Sequence, residues 1–155
     1  PEGLNAKVGA LTEQIPQLLE GITRDPICIN HGDLRLDNIF FEDSHVALVD
    51  FQAICRSAPE HDLAYFLTQS LSQSLRNKRD WVADYHSALT QHGIDYPLET
   101  CRARFTACAM YFLCYAVVIA SALDLANERG QRLAETILTN CFSALVDLDA
   151  LSLID

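Results

Sequence analysis

Residues 31–52 read HGDLRLDNIFFEDSHVALVDFQ, and this stretch decides the predicted fold. It contains two apolar runs of strand length, residues 38–42 (NIFFE) and 46–50 (VALVD). Residues 43–45 lie between them and can form a three-residue hairpin loop. The stretch therefore predicts an antiparallel hairpin whose open end carries polar side chains.

The loop length sets the predicted register of this hairpin. With three loop residues, Phe40 faces Leu48. The same register places Asn38 opposite Asp50, and directly opposed residues point to one side with Cβ atoms about 4.5–5.5 Å apart. An amide oxygen and a carboxylate so placed can share one Mg²⁺ ion, which takes few protein ligands. The apolar residues on both faces also predict that the hairpin is buried.

A further carboxylate precedes the hairpin. The loop over residues 32–37 is expected to carry Asp33 to the same end as Asn38 and Asp50. A carboxylate beside a metal-bound phosphate can accept or orient a hydroxyl proton. Asp33 is therefore a candidate base, with Asn38 and Asp50 as candidate magnesium ligands.

The remainder of the chain has helical periodicity. A short strand is expected at Ile27–Ile29. The first helix is expected either to be interrupted at Pro16 or to start a second turn there, and to stop at Gly21. Apolar spacing predicts helices over residues 4–21, 59–75, 78–92, 97–130 and 133–148.

These elements predict one domain over residues 1–155, mainly α with a small β-hairpin, in the α+β class. A catalytic loop and metal hairpin would occupy residues 27–52, and a helical subdomain residues 59–152. Glu60 and His61 are expected at the surface, in the first turn of a helix.

Composition narrows the class of protein. The net charge of −10 argues against a nucleic-acid partner, which would require a basic face. The six cysteines form no CxxC pair and have no zinc-ligand spacing, so free thiols in a reducing, cytoplasmic compartment are expected.

Residues 105–123 carry no charge and nearly reach the length of a membrane span. Their Thr, Ser and Tyr residues favour a buried core helix and no membrane partner.

Three quoted segments resemble the catalytic region of protein-kinase-like phosphotransferases. They are HGD (31–33) with an Asn five residues after the Asp, VDFQ (49–52), and APEHDLAYFL (58–67). The HGD form, and Gln where protein kinases have Gly, are similar to the small-molecule branch of aminoglycoside phosphotransferases and choline-kinase-like enzymes.

The resemblance implies a role for each matching residue. Asp33 would be the catalytic base and His31 would orient its loop. Asn38 and Asp50 would hold Mg²⁺ and through it ATP or another nucleoside triphosphate. Asp62 would brace the catalytic loop. The implied reaction transfers the γ-phosphoryl group to a hydroxyl of a small molecule.

The resemblance covers the C-terminal lobe of the protein-kinase-like fold, and the N-terminal lobe is expected to be absent. Gly3, Gly9 and Gly21 form no phosphate-binding loop before His31, and the one preceding lysine, Lys7, lies in a helical pattern. The isolated chain is therefore expected to be inactive, with the missing N-terminal lobe acting in cis or in trans.

Other functions remain open at this point. A non-catalytic kinase-like binding or regulatory module is the main alternative. A metal-dependent phosphoesterase ranks below it, because the other histidines show no ligand pattern. The acceptor and the choice between ATP and GTP are also open. Arg35 is expected to be exposed, with a phosphate or substrate contact as the alternative.

Overall fold

The computed structural model describes residues 2–153 of the 155-residue chain. The side chains of Leu4 and Val8, which helped to predict the first helix, lie outside the described part. The fold is mainly helical with small antiparallel β elements, as predicted. The helices are α1 (Glu2–Thr23), α2 (His61–Gln69), α3 (Gln73–Arg76), α4 (Trp81–Gln91), α5 (Leu98–Ala122) and α6 (Glu128–Asp147). The strands are β1 (Cys28–Asn30), β2 (Ile39–Phe41), β3 (Val46–Leu48) and β4 (Cys55–Ser57).

Helix α1 is longer than predicted. It runs through Pro16 and past Gly21 to Thr23, so the predicted interruption and stop are wrong. Proline removes one backbone hydrogen bond from a helix. However, Leu11 and Ile22 are almost fully buried on the two sides of Pro16, and α1 packs against α5. Tertiary packing thus overrides the local signal.

The strands form two separate antiparallel ribbons. Strand β1, predicted one residue earlier, pairs with β4 and brings residues 28–30 alongside 55–57. Strand β4 (CRS) was not predicted, because three residues show no apolar alternation. The β1–β4 ribbon leads directly into the loop that begins at His31.

The β2–β3 hairpin exists, but its predicted register is wrong by one residue. Phe40 pairs with Ala47 rather than Leu48. The turn comprises residues 42–45, closed by the Glu42 amide donating to the His45 carbonyl at 2.9 Å. Asn38 precedes the strand, in a short 3-10 helix at Leu36–Asn38, and does not pair with Asp50 as a strand residue.

The hairpin is also exposed, contrary to the prediction. Both faces of the hairpin are apolar, so burial would require other parts of the chain to cover both of them. The described chain leaves these faces open to solvent. Phe41 is 67% exposed and Phe40 is 56% exposed. We call the following residues the open apolar surface: Ile29, Phe40, Phe41, Val46, Leu48, Phe51 and Ile54.

Two predicted helices end earlier than expected. The one predicted over residues 59–75 is divided into α2 and α3 by residues 70–72, and the one predicted to reach Gly130 stops at Ala122. A new helix, α6, then begins, because the Asn127 side chain accepts a hydrogen bond from the Gly130 amide at 2.7 Å and caps it. Gly93 ends α4 with φ 81°, as predicted.

Helix α5 is the centre of the core. Phe105, Cys108 and Phe112 pack with α2 and α4, and Met110 and Leu113 pack with α1 and α6. By length and composition α5 is also apolar enough to cross a membrane, and it is the one such helix among the described residues. Buried core helices of globular proteins meet the same criteria.

The six cysteines are free thiols, as predicted, and half of them are buried (Cys101, Cys108 and Cys141). Burial raises the pKa of the Cys141 thiol to about 11. These thiols therefore stay protonated at neutral pH and act as small apolar side chains.

A buried ion pair joins the start of α2 to α5. Arg104 donates from Nε to the Glu60 carboxylate at 3.2 Å and from its terminal nitrogens to the Arg24 and Pro26 carbonyls. Tyr96 also donates to Glu60. Glu60 is 0% exposed and His61 is 7% exposed, so the prediction that both lie at the surface is wrong. The local pattern that predicts the first turn of a helix at Glu60 cannot reveal that this residue pairs with Arg104, 44 residues away.

Candidate active site

Asp33 and Asn38 are in direct contact. The Asn38 amide nitrogen donates to the Asp33 carbonyl at 2.9 Å and to its carboxylate Oδ2 at 3.1 Å. Asn38 is 5% exposed, and the Asp33 side chain is 16% exposed. The five-residue spacing therefore folds into a closed loop that presents one carboxylate at the surface.

His31 links this loop to the segment after the hairpin. Its Nδ1 accepts from the Asp33 amide at 3.3 Å, so Nε2 carries the proton and donates to the Val49 carbonyl at 2.8 Å. Its ring also contacts the Phe51 ring, with centroids 4.5 Å apart. His31 is buried, and its contacts are those of a residue that orients the loop.

Asp50 lies between these two contacts of His31. Its backbone is left-handed, with φ 65° and ψ 61°, which is uncommon for a residue with a side chain. The carboxylate is exposed, and among the described residues it accepts one long hydrogen bond, of 3.4 Å, from the Gln52 side-chain Nε2. The structure thus holds the Asp50 backbone through Val49 and Phe51 and leaves its oxygens accessible.

Asp62, in the first turn of α2, binds the backbone of the loop. Its carboxylate accepts from the His31 amide at 2.6 Å and from the Gly32 amide at 2.9 Å. Gly32 has φ 83°, and a Cβ there would lie 2.0 Å from the Ala53 carbonyl oxygen. The glycine of HGD is therefore required by backbone conformation and by close approach.

Hydrogen bonding lowers the pKa of Asp62. Burial by itself raises that pKa, but contacts from His61 and from the Gly32 and His31 amides outweigh burial. His61 Nδ1 lies 3.5 Å from the carboxylate, so the two amides are the better-placed donors. A carboxylate with a lowered pKa stabilises the fold most where it is ionised.

We expect Asp62→Asn to lower the free energy of unfolding by about 1.5–3 kcal/mol at pH 7, because the charged acceptor of two amides is lost. The folded-state pKa of Asp62 is lowered, so its stabilisation is complete above the unfolded pKa and disappears as the pH falls through the folded one. Urea denaturation at pH 7 and pH 3 should show the deficit of the variant shrinking in acid. Asp37→Asn, at an 83% exposed side chain, is the control, and a pH-independent deficit would contradict the account.

The donor atoms in this loop fit a hard cation. The Asn38 side-chain nitrogen donates to Asp33, which leaves the Asn38 side-chain oxygen for another contact, and the exposed Asp50 carboxylate has one long hydrogen bond, from Gln52. No group of three or more His, Cys, Asp or Glu side chains in the described part of the chain is arranged to hold a metal. Two oxygen ligands suit Mg²⁺, which completes its shell with water and phosphate, better than a fully protein-bound metal.

Tyr65 was missed by the sequence reasoning. Its hydroxyl donates to Asp33 Oδ1 at 2.7 Å. Tyr65 lies three residues after Asp62 on α2, so the two side chains share one helix face. That spacing is the signal that could have identified it.

A cavity of about 190 Å³ opens beside Asp33. The other residues that line it come from the loop after Asp33, from α2, and from the facing sides of α5 and α6. They are Arg35, Tyr65, Gln69, Tyr115, Ala116, Ile119, Leu133 and Ile137. The Arg35 side chain is 39% exposed, and its Nε lies 3.7 Å from Asp33 Oδ1. That Nε is buried without a hydrogen-bond partner among the described residues. The carboxylate thus faces a mostly apolar space with one cationic group.

Comparison with known proteins is consistent with this geometry. The model of the ecdysteroid kinase-like family matches residues 2–95, a span that contains every candidate site residue from His31 to Asp62. This kinase-like family is related to the choline kinase and aminoglycoside phosphotransferase superfamily. Searches of curated proteins and of solved structures gave no match. The family model covers 94 of the 155 residues, and the chain therefore belongs to the ecdysteroid kinase-like family.

Proposed function

We propose that the chain is the C-terminal catalytic lobe of a kinase that transfers the γ-phosphoryl group of ATP, or of another nucleoside triphosphate, to a hydroxyl of a small molecule. The observation that carries this proposal is the loop in which Asn38 binds the Asp33 carboxylate and Asp62 binds the backbone. His31 joins the same loop to the segment around Asp50. A base, two oxygen donors and their supports thus lie within one connected network.

Each residue has a distinct task in the proposed reaction. Asp33 orients the acceptor hydroxyl and accepts its proton as the oxygen bonds to the γ-phosphorus, while the bond from that phosphorus to the bridging oxygen breaks and the nucleoside diphosphate leaves. Asn38 Oδ1 and the Asp50 carboxylate would hold Mg²⁺, which would neutralise charge on the phosphates. His31 and Asp62 keep the loop in place. Arg35, whose Nε lies 3.7 Å from Asp33 Oδ1 and makes no hydrogen bond to the described residues, is proposed to bind an anionic group beside Asp33.

The cavity beside Asp33 supports an apolar alcohol as acceptor. Its walls on α5 and α6 are mainly aliphatic and aromatic, among them Ile119, Leu133 and Ile137. A volume of about 190 Å³ accommodates the hydroxyl-bearing end of a molecule rather than the whole of a large one. Ecdysteroid-type alcohols, named in the family description, should therefore be in the first acceptor panel.

The nucleotide needs a second binding element, which we propose is an N-terminal lobe supplied in cis or in trans. The open apolar surface supports this, because exposed apolar patches of this kind mark contact surfaces. Phe41, Phe40 and Phe51 lie on it, next to the segment that contains Asp50. The 155-residue chain alone is therefore expected to have little or no turnover.

The magnesium assignment gives a direct test. In the native protein, Asp50→Asn should raise the Mg²⁺ concentration required for half-maximal phosphoryl transfer by about tenfold or more, because one of two protein ligands loses its charge. Asp43→Asn, at an exposed Asp in the hairpin turn, is the matched control. Transfer of label from γ-³²P-ATP to a panel of alcohols measures both.

Two outcomes would contradict the proposal. One is an identical Mg²⁺ dependence in wild type, Asp50→Asn and Asp43→Asn. The other is the absence of transfer to any acceptor by a native protein whose intact mass exceeds that of the 17.3 kDa chain. The latter would favour a non-catalytic kinase-like module.

A further inference from the structure

We propose that Tyr65 is a positioning residue for the reaction, fixing the carboxylate of Asp33 by a hydrogen bond to Oδ1. This inference rests on the proposed function, in which Asp33 is the base. Its basis is the contact of 2.7 Å between the Tyr65 hydroxyl and Asp33 Oδ1. The Asn38 amide holds the other carboxylate oxygen at 3.1 Å.

The two hydrogen bonds together restrict the rotation of the carboxylate. With Asn38 alone, Asp33 could turn about its side-chain bonds while keeping one contact. With Tyr65 on the second oxygen, both ends are fixed, and one orientation is favoured. Each carboxylate oxygen retains a further lone pair, so an acceptor hydroxyl can donate to Asp33 while both contacts persist. Orienting a base before the substrate arrives is a recognised source of rate acceleration.

Tyr65 is itself firmly held. It is 7% exposed, and its ring packs edge-on against Phe112 with centroids 4.9 Å apart. Phe112 is fully buried on α5 and also contacts the ring of His61, the neighbour of Asp62. Phe112 thus supports Tyr65, which holds Asp33. It also supports the start of α2, where Asp62 binds the loop.

The chemistry of the phenol suits a permanent donor. Burial, followed by the hydrogen bond and the charge of Asp33, raises the pKa of Tyr65 far above its ordinary value. The hydroxyl therefore stays protonated through the pH range of catalysis and does not compete for the substrate proton. Core packing alone would be satisfied by phenylalanine, so the hydroxyl is the part of Tyr65 that needs a function.

A spectroscopic experiment tests the contact without relying on activity. In native protein labelled with 3-fluorotyrosine, the Tyr65 signal is assigned by its loss in Tyr65→Phe. Asp33→Asn should shift this ¹⁹F signal, because it removes the adjacent charge. Asp37→Asn, at an exposed carboxylate two residues from Arg35, should leave it unchanged. A Tyr65 signal that does not respond to Asp33→Asn would overturn the inference.

Kinetics test the role. Tyr65→Phe should lower kcat about tenfold, with the KM for nucleotide unchanged, because a charge-assisted hydrogen bond that orients the base is lost. Tyr85→Phe is the matched control, since it removes a half-buried phenol that donates to the Pro59 carbonyl, outside the loop. In an Asp33→Asn background, Tyr65→Phe should have little further effect.

The results separate the two proposals. A Tyr65→Phe kcat within twofold of wild type, or an equal loss in both backgrounds, would overturn the positioning role and leave the kinase function standing. A wild-type native protein that phosphorylates no alcohol would overturn the proposed function, and the positioning role with it.

Discussion

Replacing Asp33 with Asn should lower the kcat of the native kinase by about 10²–10⁴-fold, the usual contribution of a positioned general base. The KM for nucleotide should change little, because the proposed magnesium ligands, Asn38 and Asp50, are unchanged in this variant. Asparagine has nearly the shape of aspartate and still offers an oxygen to the Tyr65 hydroxyl. The expected loss therefore reflects proton transfer and orientation of the acceptor rather than collapse of the loop.

Steady-state kinetics with γ-labelled nucleotide measure this effect. Asp37→Asn is the matched control, because Asp37 lies in the same loop with a side chain that is 83% exposed. Its kcat should stay within about twofold of wild type, as expected for a surface substitution away from the reacting groups. Equal turnover of Asp33→Asn and wild type would remove Asp33 from the mechanism.

Replacing Arg104 with Met should lower the free energy of unfolding by about 3–5 kcal/mol, because it leaves the Glu60 carboxylate buried without its cation. Glu60 is 0% exposed and Arg104 is 8% exposed, so water cannot take the place of the lost guanidinium. The hydrogen bonds to the Arg24 and Pro26 carbonyls are lost as well. Methionine retains much of the apolar stem of the arginine, which keeps the loss of packing small.

Urea denaturation compares this variant with Arg102→Met on the same helix. Arg102 pairs with Asp80 at the surface, where the two side chains are 46% and 52% exposed. A pair so exposed contributes about 0–1 kcal/mol, so the control should lose far less stability than Arg104→Met. Similar losses for both variants would show that the Glu60–Arg104 pair has no special role in the fold.

The buried pair also connects stability with the candidate site. Glu60 lies two residues before Asp62, which binds the loop amides. Arg104 binds the carbonyls of the segment that leads into β1 and then His31. Conditions that loosen this pair should therefore disturb the loop before they unfold the helical core. The Glu60–Arg104 pair thus connects the start of α2 and the segment before β1 to α5.

Features that depend on local spacing could be predicted from the amino-acid sequence. The separation between Asp33 and Asn38 fixes a short loop, and a loop of that length brings the two side chains together. The mainly helical class follows from apolar periodicity, which is a local pattern.

Features that depend on contacts between distant parts of the chain could not be predicted in this way. The hairpin register shifted by one residue, because the turn contains four residues and no core covers the hairpin to enforce the predicted faces. Helix α1 continues through Pro16, because Leu11 and Ile22 on either side of it are buried and α1 packs against α5. Tyr65 reaches Asp33 across 32 residues, and Arg104 reaches Glu60 across 44. Such contacts form only after the chain has closed its long loops, so local spacing can place Tyr65 on the helix face of Asp62 but cannot show that it reaches Asp33.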